Sequence, residues 1–189
     1  MDSPVFNEKK AILDCQNGDT SQFTLIYDAY VRKIYKYIYI KILNKELAED
    51  LTSEVFFKAL KNIKRVNSEM GISAWLYSIA KNTLIDYFRT KKVNVNIEDI
   101  WEIASDSDLL KNIDKTLKYD ELKKLLQELT PLQRDIITMR VWQDMSYKEI
   151  SDALGLTEQN CRVIFSRSIT KLKSVFPLEL LLILLMFKI

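Results

Sequence analysis

The chain has 189 residues, enough for one ordinary domain or two small ones, and its 48% hydrophobic and 29% charged residues exclude an intrinsically disordered chain. It contains 3 glycines and 3 prolines, too few for the turns of a typical sheet protein, so helices joined by short polar loops are favoured. The absence of histidine removes the commonest general base and metal ligand, and a net charge of +2 indicates nucleic-acid binding only weakly.

The cysteines and the first residues predict the compartment. Cys15 and Cys161 lie far apart and form no CxxC pair, so we expect neither a zinc site nor an oxidising environment. Charged residues interrupt the segment that would be apolar in a signal peptide. These residues are Asp2, Glu8, Lys9 and Lys10. We therefore expect a cytoplasmic protein that needs no cofactor.

Three amphipathic helices are predicted in the N-terminal half, over residues 20–43, 45–63 and about 73–89. Asp19 and Gln22 are placed to form a capping box at the start of the first helix. Apolar residues recur every three to four positions in each helix, which predicts core packing. The stripe of the first helix consists of Phe23, Ile26, Tyr27, Tyr30, Ile34, Tyr37 and Ile38. The second stripe consists of Leu47, Leu51, Val55, Ala59 and Ile63, and the third of Leu76, Ile79, Ala80, Thr83, Leu84 and Tyr87.

An acidic segment divides the chain. Residues 93–114 are weakly periodic and rich in carboxylates, which is typical of a linker. The carboxylates are Glu98, Asp99, Glu102, Asp106, Asp108 and Asp114, beside the single Lys111. We predict an all-α protein of two small helical domains joined by this acidic linker. The predicted boundaries are 1–92, 93–116, 117–175 and, for an apolar C-terminal tail, 176–189.

Four helical segments are predicted in the C-terminal half. The first covers Leu117–Leu129, and the second starts at Thr130 with Pro131 in its first turn. The third and fourth cover residues 146–153 and 157–173. The tail is apolar from Leu178 to Phe187 except for Glu179, and is about half the length of a membrane-spanning helix. We expect it to be masked by the chain's own domains, by a protein partner or by a membrane surface, in that order of preference.

Residues 146–157 have the pattern of a helix-turn-helix. Ser146 with Glu149 predicts a capping box, Gly155 a left-handed turn residue, and Thr157 the cap of the next helix. Small Ser151 is placed where the two helices cross. The apolar residues Ile150, Leu154, Leu156, Cys161 and Phe165 can form a small core between them. Recognition helices enter the major groove with their N-terminal residues, so residues 158–162 are placed to reach base edges.

Two further stretches, together with this motif, resemble the extracytoplasmic-function sigma factors of bacterial RNA polymerase. Residues 126–137 and 146–150 resemble the family's fourth conserved region. Residues 48–59 and 74–89 resemble its second region, in the family's order and with an acidic segment between. The resemblance covers most of residues 19–173. It implies a DNA-binding, promoter-opening subunit and not an enzyme.

The resemblance assigns roles to three groups of residues. Contact with the polymerase clamp helices is implied for Glu49, Asp50, Glu54 and Phe57. Recognition of the minus-ten element is implied for Trp75, Ser78, Lys81, Asn82, Asp86 and Arg89, with Tyr77, Tyr87 and Phe88 as further aromatic residues that can stack on bases. Recognition of the minus-thirty-five element is implied for Thr157, Glu158, Gln159, Arg162, Ser166, Arg167 and Lys171. A base-binding pocket is implied at about residues 64–72.

The implied partners are core RNA polymerase and promoter DNA. Whether an anti-sigma protein is a third partner stays open at this point. The linker would thread the RNA channel of the polymerase. The chain departs from the family on the recognition helix, where Ile164 stands at a position that is often a cation. This departure leaves the minus-thirty-five base preference open.

Two other interpretations stay open at this stage. A helix-turn-helix regulator that binds operators without polymerase would leave the acidic face of residues 45–63 unexplained. A membrane-associated interaction protein, anchored by the tail, would leave the basic residues of the recognition helix unexplained. An enzyme finds no support, since neither a nucleophile with its base nor a cluster of metal ligands is present in the sequence.

Overall fold

The computed structural model describes residues 7–42, 44–66, 71–90 and 128–176. Seven α-helices and no strand lie within these ranges, so the all-α expectation is confirmed. The helices are α1 Glu8–Gln16, α2 Phe23–Ile42, α3 Lys45–Asn62, α4 Ile72–Thr90, α5 Pro131–Ile137, α6 Tyr147–Leu154 and α7 Glu158–Val175. The predicted acidic linker, the apolar tail after Phe176 and all but the last two residues of the predicted helix Leu117–Leu129 lie outside the described residues.

The long helices α2, α3 and α4 pack on one another through the predicted apolar stripes. Every predicted residue of the α2 stripe is buried except Tyr27, which is 42% exposed. The expectation of core packing was therefore wrong for Tyr27. Its ring instead covers Phe56 of α3 edge-on, with the ring centroids 4.9 Å apart. Asn44 caps α3 by accepting a hydrogen bond from the Leu47 amide at 2.9 Å.

Helix α1 was not predicted from the sequence, and it positions the start of α4. Its Ala11, Ile12 and Cys15 are buried. The carboxylate of Glu8 accepts hydrogen bonds from the Ile72 amide at 3.0 Å and from the Tyr30 hydroxyl at 2.9 Å. A carboxylate at a helix N-terminus satisfies a free amide and interacts favourably with the helix dipole. Glu8 thus ties α1, α2 and α4 together.

The capping box of Ser146 and Glu149 is formed as predicted, and α5 begins with a second capping box that was not predicted. Thr130 and Gln133 form a capping box around the first turn of α5. Helix α5 continues through the π-helical turn Thr138–Trp142. The hydroxyl of Ser146 accepts from the Glu149 amide at 3.2 Å, and the Glu149 carboxylate accepts from the Ser146 amide at 2.8 Å.

The two halves pack directly against each other, because α6 lies on α4. Three polar contacts among the described residues join them. The Asp135 carboxylate of α5 forms an ion pair with Lys41 of α2 and accepts a hydrogen bond from the Tyr37 hydroxyl at 3.2 Å. The Tyr77 hydroxyl of α4 donates to Gln143 at 2.9 Å. Buried apolar residues from both halves share one continuous core.

Candidate nucleic-acid and partner-binding surfaces

Helices α6 and α7 form a helix-turn-helix whose turn depends on Gly155. This residue has φ 70° and ψ 36°, a left-handed conformation that glycine adopts without strain. The Leu156 amide donates back to the Ser151 carbonyl at 3.0 Å. Thr157 then caps α7 by accepting from the Asn160 amide at 3.2 Å. Each predicted element of the turn is therefore confirmed.

The outward face of α7 carries all seven residues predicted to read the minus-thirty-five element. All seven are exposed: Thr157, Glu158, Gln159, Arg162, Ser166, Arg167 and Lys171. Cys161, Ser168 and Leu172 point into the protein and are buried. Arg162 lies 3.6 Å from the Glu158 carboxylate, while Lys171 contacts the backbone carbonyl of Glu128. A single exposed helix face thus combines hydrogen-bonding groups at its N-terminal end with cations further along, which suits entry into a major groove.

The polar stripe of α4 is the second candidate surface. Asn82 and Arg89 are exposed, while Ser78, Lys81 and Asp86 are half-buried. Arg89 and Asp86 form an ion pair at 3.0 Å, and the Ser78 hydroxyl donates to the Trp75 carbonyl at 2.8 Å. The Asn82 amide remains accessible to a ligand. Trp75 is half-buried at the start of the same helix.

Tyr77 does not share this accessibility. It is 1% exposed, and its ring packs edge-on against Tyr37 with centroids 5.2 Å apart. Burial raises the pKa of the Tyr77 hydroxyl well above its ordinary value, and nearby Tyr30 and Glu149 add to the shift. The expectation that Tyr77 stacks on DNA bases was wrong, because the ring is buried where α4 packs against the C-terminal half. Tyr87 and Phe88 are half-buried and pack edge-on against each other.

The acidic face of α3, defined by Glu49, Asp50, Glu54 and Phe57, is the third candidate surface. All four residues are exposed, and Phe57 is 68% exposed. Lys58 pairs with Glu54 at 2.6 Å, and Lys45 lies 3.9 Å from Glu49. A large apolar ring left in water beside carboxylates is typical of a protein-binding surface.

A groove between α2 and α3 extends this acidic face and was not predicted from the sequence. It has a volume of about 570 Å³. Its lining comprises Tyr27, Val31, Arg32, Tyr35, Lys36, Tyr39, Glu49, Thr52 and Ser53. Tyr35 and Tyr39 stack at 5.7 Å. The signal in the sequence was the group of tyrosines Tyr27, Tyr35 and Tyr39 on α2, since tyrosine is common where one edge of a ring is exposed to water.

No helix among the described ranges is long and apolar enough to cross a membrane. The predicted tail, residues 176–189, lies outside those ranges except for Phe176. Residues 67–70, in the middle of the segment expected to hold a base-binding pocket, also lie outside them.

A capped helix-turn-helix packed on the helical N-terminal half, α1 to α4, with an exposed polar stripe defines an all-α protein built to bind DNA and a protein partner. Residues 26–93 match sigma-70 region 2, and residues 119–172 match sigma-70, region 4. The chain therefore belongs to the extracytoplasmic-function sigma factors of bacterial RNA polymerase, recognition subunits that direct the core enzyme to promoters and are not themselves enzymes.

Similar proteins support the same assignment. The chain is 30% identical to the sigma factor SigM of Bacillus subtilis, over 80% of this chain and 93% of SigM. It is 31% identical to SigW of the same organism, over 78% of this chain and 85% of SigW. It is 28% identical to BldN of Streptomyces coelicolor, over 86% of this chain but only 63% of BldN.

Two solved structures share the fold. CnrH in complex with the cytosolic domain of CnrY has a TM-score of 0.69 at 14% identity, covering 89% of this chain and 96% of CnrH. RpoE in complex with the anti-sigma factor NepR from Bartonella quintana has a TM-score of 0.63 at 21% identity, covering 85% and 97%. Neither the operator-binding regulator nor the membrane-associated protein is favoured by these comparisons.

Proposed function

We propose that this sigma factor divides promoter recognition among three surfaces. The acidic face of α3 binds the clamp of core RNA polymerase, the polar stripe of α4 engages the minus-ten element, and the outward face of α7 reads the minus-thirty-five element. The observation that best supports this proposal is that all seven residues predicted to read the minus-thirty-five element are exposed on α7, the helix that follows the capped turn. Transcription in vitro with core polymerase on a pool of promoters tests it. If the chain and core polymerase together enriched transcripts from none of the promoters, the proposal would be contradicted.

The place of action and the regulation follow from the same proposal. The protein works in the cytoplasm, where core polymerase and promoter DNA are found. Two structural neighbours were solved with a bound protein, CnrY in one and the anti-sigma factor NepR in the other. We propose that an anti-sigma protein binds this chain too. The exposed ring of Phe57 and the groove between α2 and α3 are the surfaces that such a protein could cover.

Reversing the charge of the acidic face should weaken the polymerase complex. We expect Asp50→Lys combined with Glu54→Lys to lower the affinity for core polymerase about 100-fold or more, because like charges placed opposite each other cost several kcal/mol. Both carboxylates are exposed, so the fold should be unaffected. Fluorescence anisotropy of labelled chain with core polymerase measures the affinity. Asp28→Lys, a reversal of an exposed carboxylate on α2 outside the groove lining, is the control and should bind normally.

Loss of the polar stripe should impair promoter opening but not docking. We expect Asn82→Ala and Asp86→Ala to slow melting of the minus-ten region, since a flipped or unstacked base needs polar partners to offset the cost of leaving the helix. Permanganate reactivity of unpaired thymines measures the bubble, and footprinting upstream measures docking. Asn17→Ala changes an exposed asparagine outside α4 and should open promoters at the normal rate. A normal bubble in both stripe variants would place the minus-ten contacts elsewhere.

A further inference from the structure

The ring of Tyr147, the first residue of α6, has two guanidinium groups against it. The Cζ atom of Arg162 lies 4.5 Å from the ring centroid, and that of Arg140 lies 5.0 Å from it. A guanidinium over an aromatic face within about 6 Å is attracted by the ring quadrupole and stacks on the ring. Tyr147 therefore links the proposed base-reading arginine of α7 to the segment before α6.

The ring is held in place by its surroundings. Tyr147 follows directly after Ser146, whose capping box fixes the first turn of α6. Phe165 of α7 contacts the ring edge-on, with centroids 6.0 Å apart. Arg140 is fixed in turn, because its Nη1 atom donates to the Met145 carbonyl at 2.8 Å. The half-buried ring is thus a fixed platform for the exposed Arg162 side chain.

Among the described residues, the other contact of the Arg162 side chain is a weak ion pair. Its guanidinium lies 3.6 Å from the Glu158 carboxylate one turn earlier, and both side chains are about half exposed, at 56% and 47%. Such an exposed pair is screened by salt and contributes little to holding a long side chain in one rotamer. The Tyr147 ring gives the guanidinium plane a defined orientation, which the carboxylate alone does not.

We propose that Tyr147 is a specificity-determining positioning residue: its ring orients the Arg162 guanidinium so that it reads a base edge in the minus-thirty-five element. The proposal rests on the function assigned above to α7. A bidentate contact with guanine depends on the direction of the guanidinium plane. An arginine already oriented loses less conformational freedom when it binds than one that samples all its rotamers.

Two substitutions separate the platform from a simple packing role. Tyr147→Phe removes the hydroxyl and keeps the ring face. Tyr147→Leu removes the hydroxyl and the ring face but keeps an apolar side chain, so the comparison isolates the aromatic face. If Tyr147→Leu folds poorly, Tyr147→Met replaces it in the experiment, because methionine has an unbranched apolar side chain that suits a helix.

The experiment measures the affinity of holoenzyme, formed with each full-length variant, for promoters that carry every single-base change in the minus-thirty-five element. We expect Arg162→Ala to lose discrimination at one position. Tyr147→Leu should lose about 5-fold in discrimination at that same position with a normal melting temperature, while Tyr147→Phe discriminates like the wild type. In the Arg162→Ala background, neither Tyr147 substitution should have a further effect.

Three results would overturn the proposal. Discrimination by Tyr147→Leu or Tyr147→Met equal to that of the wild type would show that the ring does not orient Arg162. An effect of Tyr147→Leu that persists in the Arg162→Ala background would mean that Tyr147 acts on DNA itself. If Arg162→Ala discriminated at every position like the wild type, Arg162 would not read a base and Tyr147 could not act by orienting it. That result would leave the proposed role of the chain in polymerase-dependent transcription unaffected.

Discussion

Replacing Lys41 with methionine is expected to lower the free energy of unfolding by about 3–5 kcal/mol, because the substitution leaves a buried carboxylate without its counter-charge. The side chains of Lys41 and Asp135 are each 11% exposed. The Lys41 ammonium also lies 4.8 Å from the centre of the Tyr37 ring. After the substitution the Asp135 carboxylate keeps the Tyr37 hydroxyl as a donor but loses the Lys41 ammonium, its ion-pair partner. Urea unfolding followed by circular dichroism measures the loss.

Two further variants make this result specific to the buried pair. Lys45→Met removes the lysine of an exposed pair with Glu49, whose side chains are 68% and 55% exposed, and should cost less than about 1 kcal/mol. Adding Asp135→Asn to Lys41→Met should recover most of the lost stability, since the neutral amide oxygen still accepts from Tyr37. A cost for Lys41→Met no larger than that for Lys45→Met would show that the two halves are not held together by this pair in solution.

The parts of the fold that depend on local chemistry could be predicted from the sequence. A capping box, a capping threonine, a left-handed glycine and a Pro in a first turn each act over three or four residues, so the starts of α5, α6 and α7 were found to within a residue. The exposed position of Phe57 was likewise predicted, because Phe57 does not lie on the apolar stripe of α3. The exposure of the α7 face followed from the same reasoning, whereas its contacts with DNA stay a prediction.

The contacts between the halves could not be predicted in this way. Asp135 and Lys41 are 94 residues apart in sequence, and no local rule joins them. A signal was present, however, because Lys41 continues the i, i+3, i+4, i+7 series of Ile34, Tyr37 and Ile38 on the buried face of α2. A charge inside an apolar stripe indicates a buried partner, although not which one. Helix α1 was missed because it is short and its buried residues are few.

The packing of the two halves has a consequence for promoter binding. The minus-ten and minus-thirty-five elements are about 25 base pairs apart, which corresponds to about 85 Å of B-form DNA. A compact chain of this length has a radius of gyration of about 16 Å, or about 40 Å across. With α6 packed on α4, the proposed DNA-binding surfaces of α4 and α7 therefore cannot occupy both elements at once. The contact that includes Lys41 and Asp135 must open when both are bound.

Fixing the two halves together should therefore abolish transcription from a promoter that needs both elements. Cysteines at Lys41 and Asp135 are buried while the halves are packed, so a short reducible bismaleimide reaches them when the halves separate and then tethers the halves to each other. The native Cys15 and Cys161 are both 0% exposed and are shielded from the reagent. We expect the cross-linked chain to bind core polymerase but give no transcript, and cleavage of the linker to restore it.

The control for this cross-link is a second cysteine pair that does not join the halves. Lys148 and Asp152 lie one turn apart on α6 and form an ion pair at 3.2 Å, so cysteines at these positions are bridged within a single helix. This cross-linked chain should transcribe normally, which excludes damage by the reagent. Undiminished transcription from the chain joined between residues 41 and 135 would mean that the halves act on the promoter without separating, and that the two surfaces do not bind both elements together.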